Sequence, residues 1–127
     1  MHNSDLPLVY SCSGCSNVAQ LANDLAVVLD REKRAQMSCI AGLGGDVKGL
    51  VKLATSGRPI LAVDGCRLAC VRKTLARHNV IPTAYIELTD LDIKKQDGQD
   101  CTYQDMNKAL KKAHQLLAEM QPSRGSL

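Results

Sequence analysis

The chain has 127 residues, about one domain's worth and enough to bury a core without disulfide staples. It contains no Phe and no Trp, and its three aromatic residues, Tyr10, Tyr85 and Tyr103, argue against a base-stacking nucleic-acid surface. The net charge of +3 is mild and mixed in sign along the chain, so Lys108, Lys111 and Lys112 read as one solvated helix face, not as a phosphate-binding patch.

Leu6 to Tyr10 is a short apolar run without alternation, as expected of a strand buried on both faces. A Ser/Gly/Cys loop over residues 11–15 follows, and Ser16 or Asn17 can cap a helix reaching about Arg34. Its apolar stripe is Val18, Leu21, Ala22, Leu25, Val28 and Leu29. Gln36 to Ile40 reads as a second strand and Ala41 to Gly45 as a glycine-rich turn. Asp46 is then an N-cap for a helix to about Thr55. Gly57 stops that helix, and Pro59 to Val63 is the clearest strand of all. Asp64 and Gly65 turn the chain into a basic helix from about Arg67 to His78. Pro82 to Leu88 is a fourth strand and Leu91 to Cys101 a polar loop. Thr102 and Asp105 have capping-box spacing at the start of a last helix over about 102–120, with a tail at 121–127.

Strand and helix alternate four times with short turns. The expected fold is one α/β domain over residues 1–127: about four parallel strands with helices on both faces, a Rossmann-like three-layer arrangement. No repeat or second domain is visible.

The six cysteines are what ordinary composition does not explain. Met1 to Asp5 has no basic n-region, Leu6 to Tyr10 is too short for a signal peptide, and no run approaches the ~18 apolar residues of a membrane span. The expectation is a cytoplasmic chain, away from membranes, with reduced thiols used for metal or redox chemistry. Cys12, Cys39 and Cys66 fall at or just past the ends of the first three strands. Cys15 and Cys70 are expected in the first turns of the helices that leave them. In a parallel sheet these ends share one edge, where open α/β sheets bind ligands. Helix N-termini stabilise thiolates, and zinc takes four such ligands at ~2.3 Å. Cys12 and Cys15 have C-x2-C spacing, and Cys66 and Cys70 lie one helical turn apart.

Several of these stretches, in order, resemble the DGC-domain family. They are Tyr10-Ser11-Cys12-Ser13-Gly14-Cys15-Ser16-Asn17, then Ser38-Cys39-Ile40-Ala41-Gly42, then Asp64-Gly65-Cys66 with Cys70, and finally Leu88 to Lys94. The likeness runs from about Val9 to Lys95 and implies a zinc-binding protein of undefined activity. By position it implies Cys12, Cys15, Cys39, Cys66 and Cys70 as the metal residues and leaves Cys101 outside. Where the family often has proline after its Asp-Gly-Cys motif, this chain has Arg67, a cation beside the site.

Five thiols exceed the four positions of a tetrahedral ion. Cys12, Cys39, Cys66 and Cys70 are the preferred set, with Cys15 spare; a knuckle using both Cys12 and Cys15 stays open. Two other readings of the cysteines also stay open: thiol redox or sulfur transfer through the C-x-x-C pair, and an iron–sulfur centre in place of zinc. Cys66 and Arg72 have the C-x5-R spacing of cysteine phosphatases, but residues 67–71 lack the glycine or serine such a loop needs. Gly42, Gly44 and Gly45 lack the third glycine of a dinucleotide fingerprint, since Val47 stands there. Asp64 reads by default as a turn residue, with a hydrogen-bond acceptor supporting the metal ligands as the alternative; His78 and His114 read as surface histidines, and Asp90 and Lys94 as candidate substrate contacts. No histidine or general base accompanies the cysteines, which weighs against hydrolysis by a zinc-bound water.

Overall fold

The computed structural model describes residues 5–120, so the expected tail at 121–127 lies outside the described residues. In chain order the elements are β1 (Leu8–Ser11), α1 (Asn17–Arg31), β2 (Gln36–Met37), α2 (Ile40–Gly44), α3 (Lys48–Ala54), β3 (Ile60–Asp64), α4 (Cys70–Arg77), β4 (Ala84–Glu87) and α5 (Tyr103–Met120). A 3-10 turn, Leu88–Leu91, follows β4 directly. The four strands form one parallel sheet in the order β2-β1-β3-β4.

The continuous apolar runs make two cores, one on each face, because successive side chains of a strand point opposite ways. Val9, Leu61, Val63 and Ile86 meet α1 through Val18, Leu21, Leu25 and Leu29, and α5 through Ala109, Ala113 and Leu117. On the other face Leu8, Tyr10, Ile60 and Ala62 meet Leu43 of α2, Ala54 of α3, and Val71 and Leu75 of α4. With no Phe or Trp to fill space, α5 approaches closely through Ala109 and Ala113, both fully buried. Truncating a fully buried leucine such as Leu25 or Leu61 to alanine would cost about 2–5 kcal/mol.

The α/β alternation and the parallel sheet match the sequence reading, while several local expectations are corrected. The second strand is only Gln36–Met37, not Gln36 to Ile40, because the chain turns into α2 at Ile40. The glycine-rich segment expected as a turn is that short helix: Gly42 lies under Leu50, whose Cδ1 would be 2.1 Å from an added Cβ, so glycine here admits close helix packing. Asp46 does not cap α3. It adopts a left-handed φ of 58° and pairs with Arg77 at 2.6 Å, leaving Val47 as N-cap. The capping box of α5 is present in full: Thr102 N–H donates to Asp105 Oδ2 at 3.0 Å, and Asp105 N–H donates to Thr102 Oγ1 at 3.1 Å. Among the described residues no helix is long and apolar enough to cross a membrane.

Candidate thiol site at the switch point of the sheet

The strand order places β1 between β2 and β3, so the chain leaves β1 toward one neighbour and returns on its other side. The helix after β1 packs on one face of the sheet and the helix after β3 on the other. Their departures open a crevice beyond the carboxyl ends of β1 and β3, the place where open α/β sheets receive ligands. A cavity of about 210 Å³ lies there, and four of the six cysteines line it: Cys12, Cys15, Cys66 and Cys70, with Ser13, Gly65, Leu68, Lys95 and Asp97.

Cys12 is the first residue past β1 and keeps a strand-like bond, its N–H donating to Val63 O at 3.1 Å. Its sulfur accepts from Gly65 N–H at 3.2 Å. That contact needs Gly65, since a Cβ there would stand 2.7–2.9 Å from the backbone of Val18 and Ala19. Burial pushes the Cys12 thiol up to about 11. Gly65 N–H opposes the shift, while the charges of Asp64, Cys70 and Cys66 add to it. Cys15 is exposed and precedes α1 instead of lying in its first turn, because Ser16 is the N-cap and accepts from Ala19 N–H at 3.1 Å. Gln20 Nε2 braces the intervening loop by donating to Gly14 O at 2.7 Å.

Cys66 lies in the loop between β3 and α4; the helix begins at Cys70 and not at about Arg67 as expected, which still leaves Cys70 in its first turn. The N-cap, Ala69, is buried with φ 55° and ψ 45°, a left-handed conformation that costs a non-glycine residue about 1–2 kcal/mol. Alanine has no side chain with which to cap. The cap comes from Asp64, so its default reading as a turn residue gives way to the alternative, a hydrogen-bond acceptor. Asp64 is 1% exposed, and its carboxylate accepts from Val71 N–H at 2.8 Å, Arg72 N–H at 3.1 Å and Tyr85 Oη–H at 2.9 Å. Burial raises the Tyr85 phenol, and its bond to Asp64 raises it further.

The fourth wall is the polar segment after the 3-10 turn. Asn17 clasps it: Asn17 N–H donates to Gln96 O at 3.0 Å, its Nδ2 donates to Lys94 O at 2.8 Å, and its Oδ1 accepts from Gln96 N–H at 2.7 Å. Gly98 N–H reaches Cys15 O at 3.3 Å, and Ser16 and Asp97 form an isolated antiparallel bridge. Lys95 and Asp97, not the Asp90 and Lys94 singled out from the sequence, therefore line the cavity.

Cys39 stands elsewhere on the rim. It is exposed, two residues past β2, at the N-cap of a five-residue helix, and its side chain makes no cap bond. It lines a separate cleft of about 430 Å³ with Ser11, Met37 and Ser38, which among the described residues shares only Ser13 with the thiol cavity. The cause is topological, since β2 is the edge strand and lies outside the switch point. Cys101 is half-buried and its thiol donates to Asn17 O at 3.4 Å; burial, then the neighbouring Asp105, raise its pKa. His78 pairs through Nε2 with Leu43 O at 2.7 Å and His114 with Glu32 at 2.9 Å, both away from the cavity. Tyr85 carries no signal in the sequence, and Asp64 and Asn17 carry only those of a turn or acceptor and of a cap, because their partners lie 7 to 79 positions away and leave no local signature.

All six cysteines are free thiols. As placed, no three Cys, His, Asp or Glu side chains among the described residues stand close enough to share one ion. The donor set fits a soft, thiolate-bound metal, with C-x2-C and C-x3-C pairs across one crevice and no histidine among the described residues. Ligation would require these side chains to draw inward.

A parallel α/β sheet whose switch point is walled by cysteines defines the class of protein. The chain belongs to the DGC-domain family, which matches residues 8–113. It is 60% identical over 112 residues to a Pseudomonas aeruginosa protein named "Anaerobic and virulence modulator AnvM", covering 88% of this chain and 86% of that relative. No solved structure matches the chain significantly.

Proposed function

We propose that this is a zinc-binding modulator protein whose metal is held by Cys12, Cys15, Cys66 and Cys70 in the crevice between β1 and β3. The observation that carries the reading is the convergence of those four thiols on one cavity from two segments some 50 residues apart in sequence. Four-thiolate sites saturate a tetrahedral ion and leave no open position for water, so they favour metal sensing or storage over hydrolysis. Among the described residues no histidine lines the cavity, which points the same way.

The electrostatics support a metal over a redox pair. Redox cysteines sit in electropositive surroundings that depress their pKa. Cys12 is instead pushed up to about 11 by its burial, with the charge of Asp64 adding to the shift, which leaves it a poor nucleophile at neutral pH until a cation enters. A divalent ion would supply the missing positive charge and ionise the thiols as it bound. The name of the Pseudomonas aeruginosa relative, a modulator, agrees with a regulatory use of such a centre.

Native mass spectrometry with elemental analysis of protein purified without oxygen tests the proposal. One zinc per chain is expected, and it should be lost from Cys12→Ser and Cys66→Ser. A chain without stoichiometric metal overturns the reading, and iron with inorganic sulfide replaces zinc by a cluster.

A further inference from the structure

Helix α4 begins badly by local standards. Its N-cap residue, Ala69, has a left-handed backbone and no polar side chain. The first free N–H groups of a helix need acceptors, and a buried start without them is unfavourable. Asp64 supplies them from the end of β3, with Oδ1 on Val71 N–H and Oδ2 on Arg72 N–H. Because Asp64 is itself paired in the sheet with Glu87 of β4, its backbone holds one end of the intervening loop and its side chain the other. Cys66 and Cys70 lie inside the segment so closed.

Tyr85 completes the arrangement from β4. Its hydroxyl donates to Oδ2 at 2.9 Å, and the Arg72 guanidinium lies over its ring at 4.6 Å. Arg72 thus meets Asp64 through its backbone and Tyr85 through its side chain. The carboxylate is held from three sides, each oxygen in use, and it is almost wholly buried.

We infer that Asp64 and Tyr85 are positioning residues for the thiol site: they hold the first turn of α4 and so set Cys70, and the loop bearing Cys66, against Cys12 and Cys15. The inference rests on the zinc reading for its ligand, but the geometry it describes is independent of metal. A carboxylate suits the task because both its oxygens accept. Asparagine would keep one helical bond and turn an NH2 donor against the other N–H. Phenylalanine at position 85 would keep the ring under Arg72 and remove only the third bond.

Two readouts on the full chain test this. The first is zinc affinity by chelator competition, beside thermal melting of the metal-free protein. Tyr85→Phe should bind zinc about 10-fold more weakly with its melting temperature lowered by a few degrees, and Asp64→Asn up to about 100-fold more weakly, as losses of supporting partners do at other metal sites. Cobalt(II) substituted into Tyr85→Phe should show shifted ligand-field bands, which a stability defect alone would not produce. Equal zinc affinity and identical cobalt spectra in wild type and Tyr85→Phe overturn the inference. The second readout serves if wild type binds no metal: alkylation of the metal-free chain followed cysteine by cysteine. Tyr85→Phe should change the rates of Cys66 and Cys70 and leave Cys39 unchanged. Unaltered rates at all three overturn the positioning role, whereas altered rates without metal binding overturn only the zinc reading.

Discussion

The loops that follow β1 and β3 and the loop that follows β2 all carry cysteine onto one rim of the sheet, yet they are built differently. The first two are pinned from several directions. Gly65 packs on the backbone of α1, Asp64 caps α4, Gln20 braces the loop at Gly14, and Asn17 ties the cavity wall down. The loop after β2 leaves a two-residue edge strand and enters a short helix whose N-cap, Cys39, makes no side-chain cap bond. Ser38 N–H ties it to β1 by donating to Val9 O at 3.2 Å, and in the strand before it Met37 N–H donates to Asp30 Oδ1 at 2.9 Å, which occupies a donor facing away from β1 and blunts the sheet edge. Position on the rim does not make a site. The supported cysteines are those at the switch point.

The comparison breaks most visibly at the thiols themselves. Cys66→Ser should weaken zinc binding by more than about 100-fold, since losing a ligand exceeds losing a ligand's partner. Cys39→Ser should leave affinity unchanged in the same chelator titration. Equal losses in both would merge the two regions into one site. Next in size is backbone fit. Gly65→Ala has nowhere to place its Cβ and should destabilise the metal-free chain by about 1–3 kcal/mol in urea unfolding. Gly44→Ala, in α2 on the other side with nothing within 4 Å, should be neutral or stabilising by up to about 1 kcal/mol.

The pH dependence follows from Cys12. Its pKa of about 11 lies above the ordinary thiol range, so in the metal-free protein it stays protonated through neutral pH. Zinc must displace that proton, and affinity should therefore rise by about tenfold per pH unit for each thiol proton released, measured between pH 6 and 8. Stability of the metal-free chain should move oppositely. The raised folded-state pKa gives full stability below the ordinary thiol value, and stability falls as pH climbs from there toward about 11. In the same protein Cys12 should alkylate more slowly at pH 7 than exposed Cys39. The smallest effect is expected at the clasp. Asn17→Ala frees Lys94 O and Gln96 N–H, which are near water, and should cost about 1 kcal/mol while accelerating alkylation of Cys15.

Much of this was legible in the residues. The apolar runs of β1 and β3 announced a sheet buried on both faces, and the cysteine positions relative to strand ends announced a rim. Strand order was not legible, because alternation of strand and helix is the same whichever neighbour β2 takes. That order alone separates Cys39 from the other four rim cysteines and brings Cys15, exposed in its loop, to the cavity. The supports were hidden for a related reason. Asp64 looks first like half of an Asp-Gly turn until the N-cap of α4 is seen to be Ala69, and Asn17 looks like a cap until residues 94–96 arrive from far along the chain.

The most direct test maps all six thiols at once. The chain is alkylated at pH 7 with and without equimolar zinc, and modification at each cysteine is read by peptide mass spectrometry. Zinc should protect Cys12, Cys15, Cys66 and Cys70 together, with Cys39 and Cys101 modified at the same rate in both samples. Protection of Cys39, or of fewer than three of the switch-point thiols, would contradict a single metal centre in the crevice between β1 and β3.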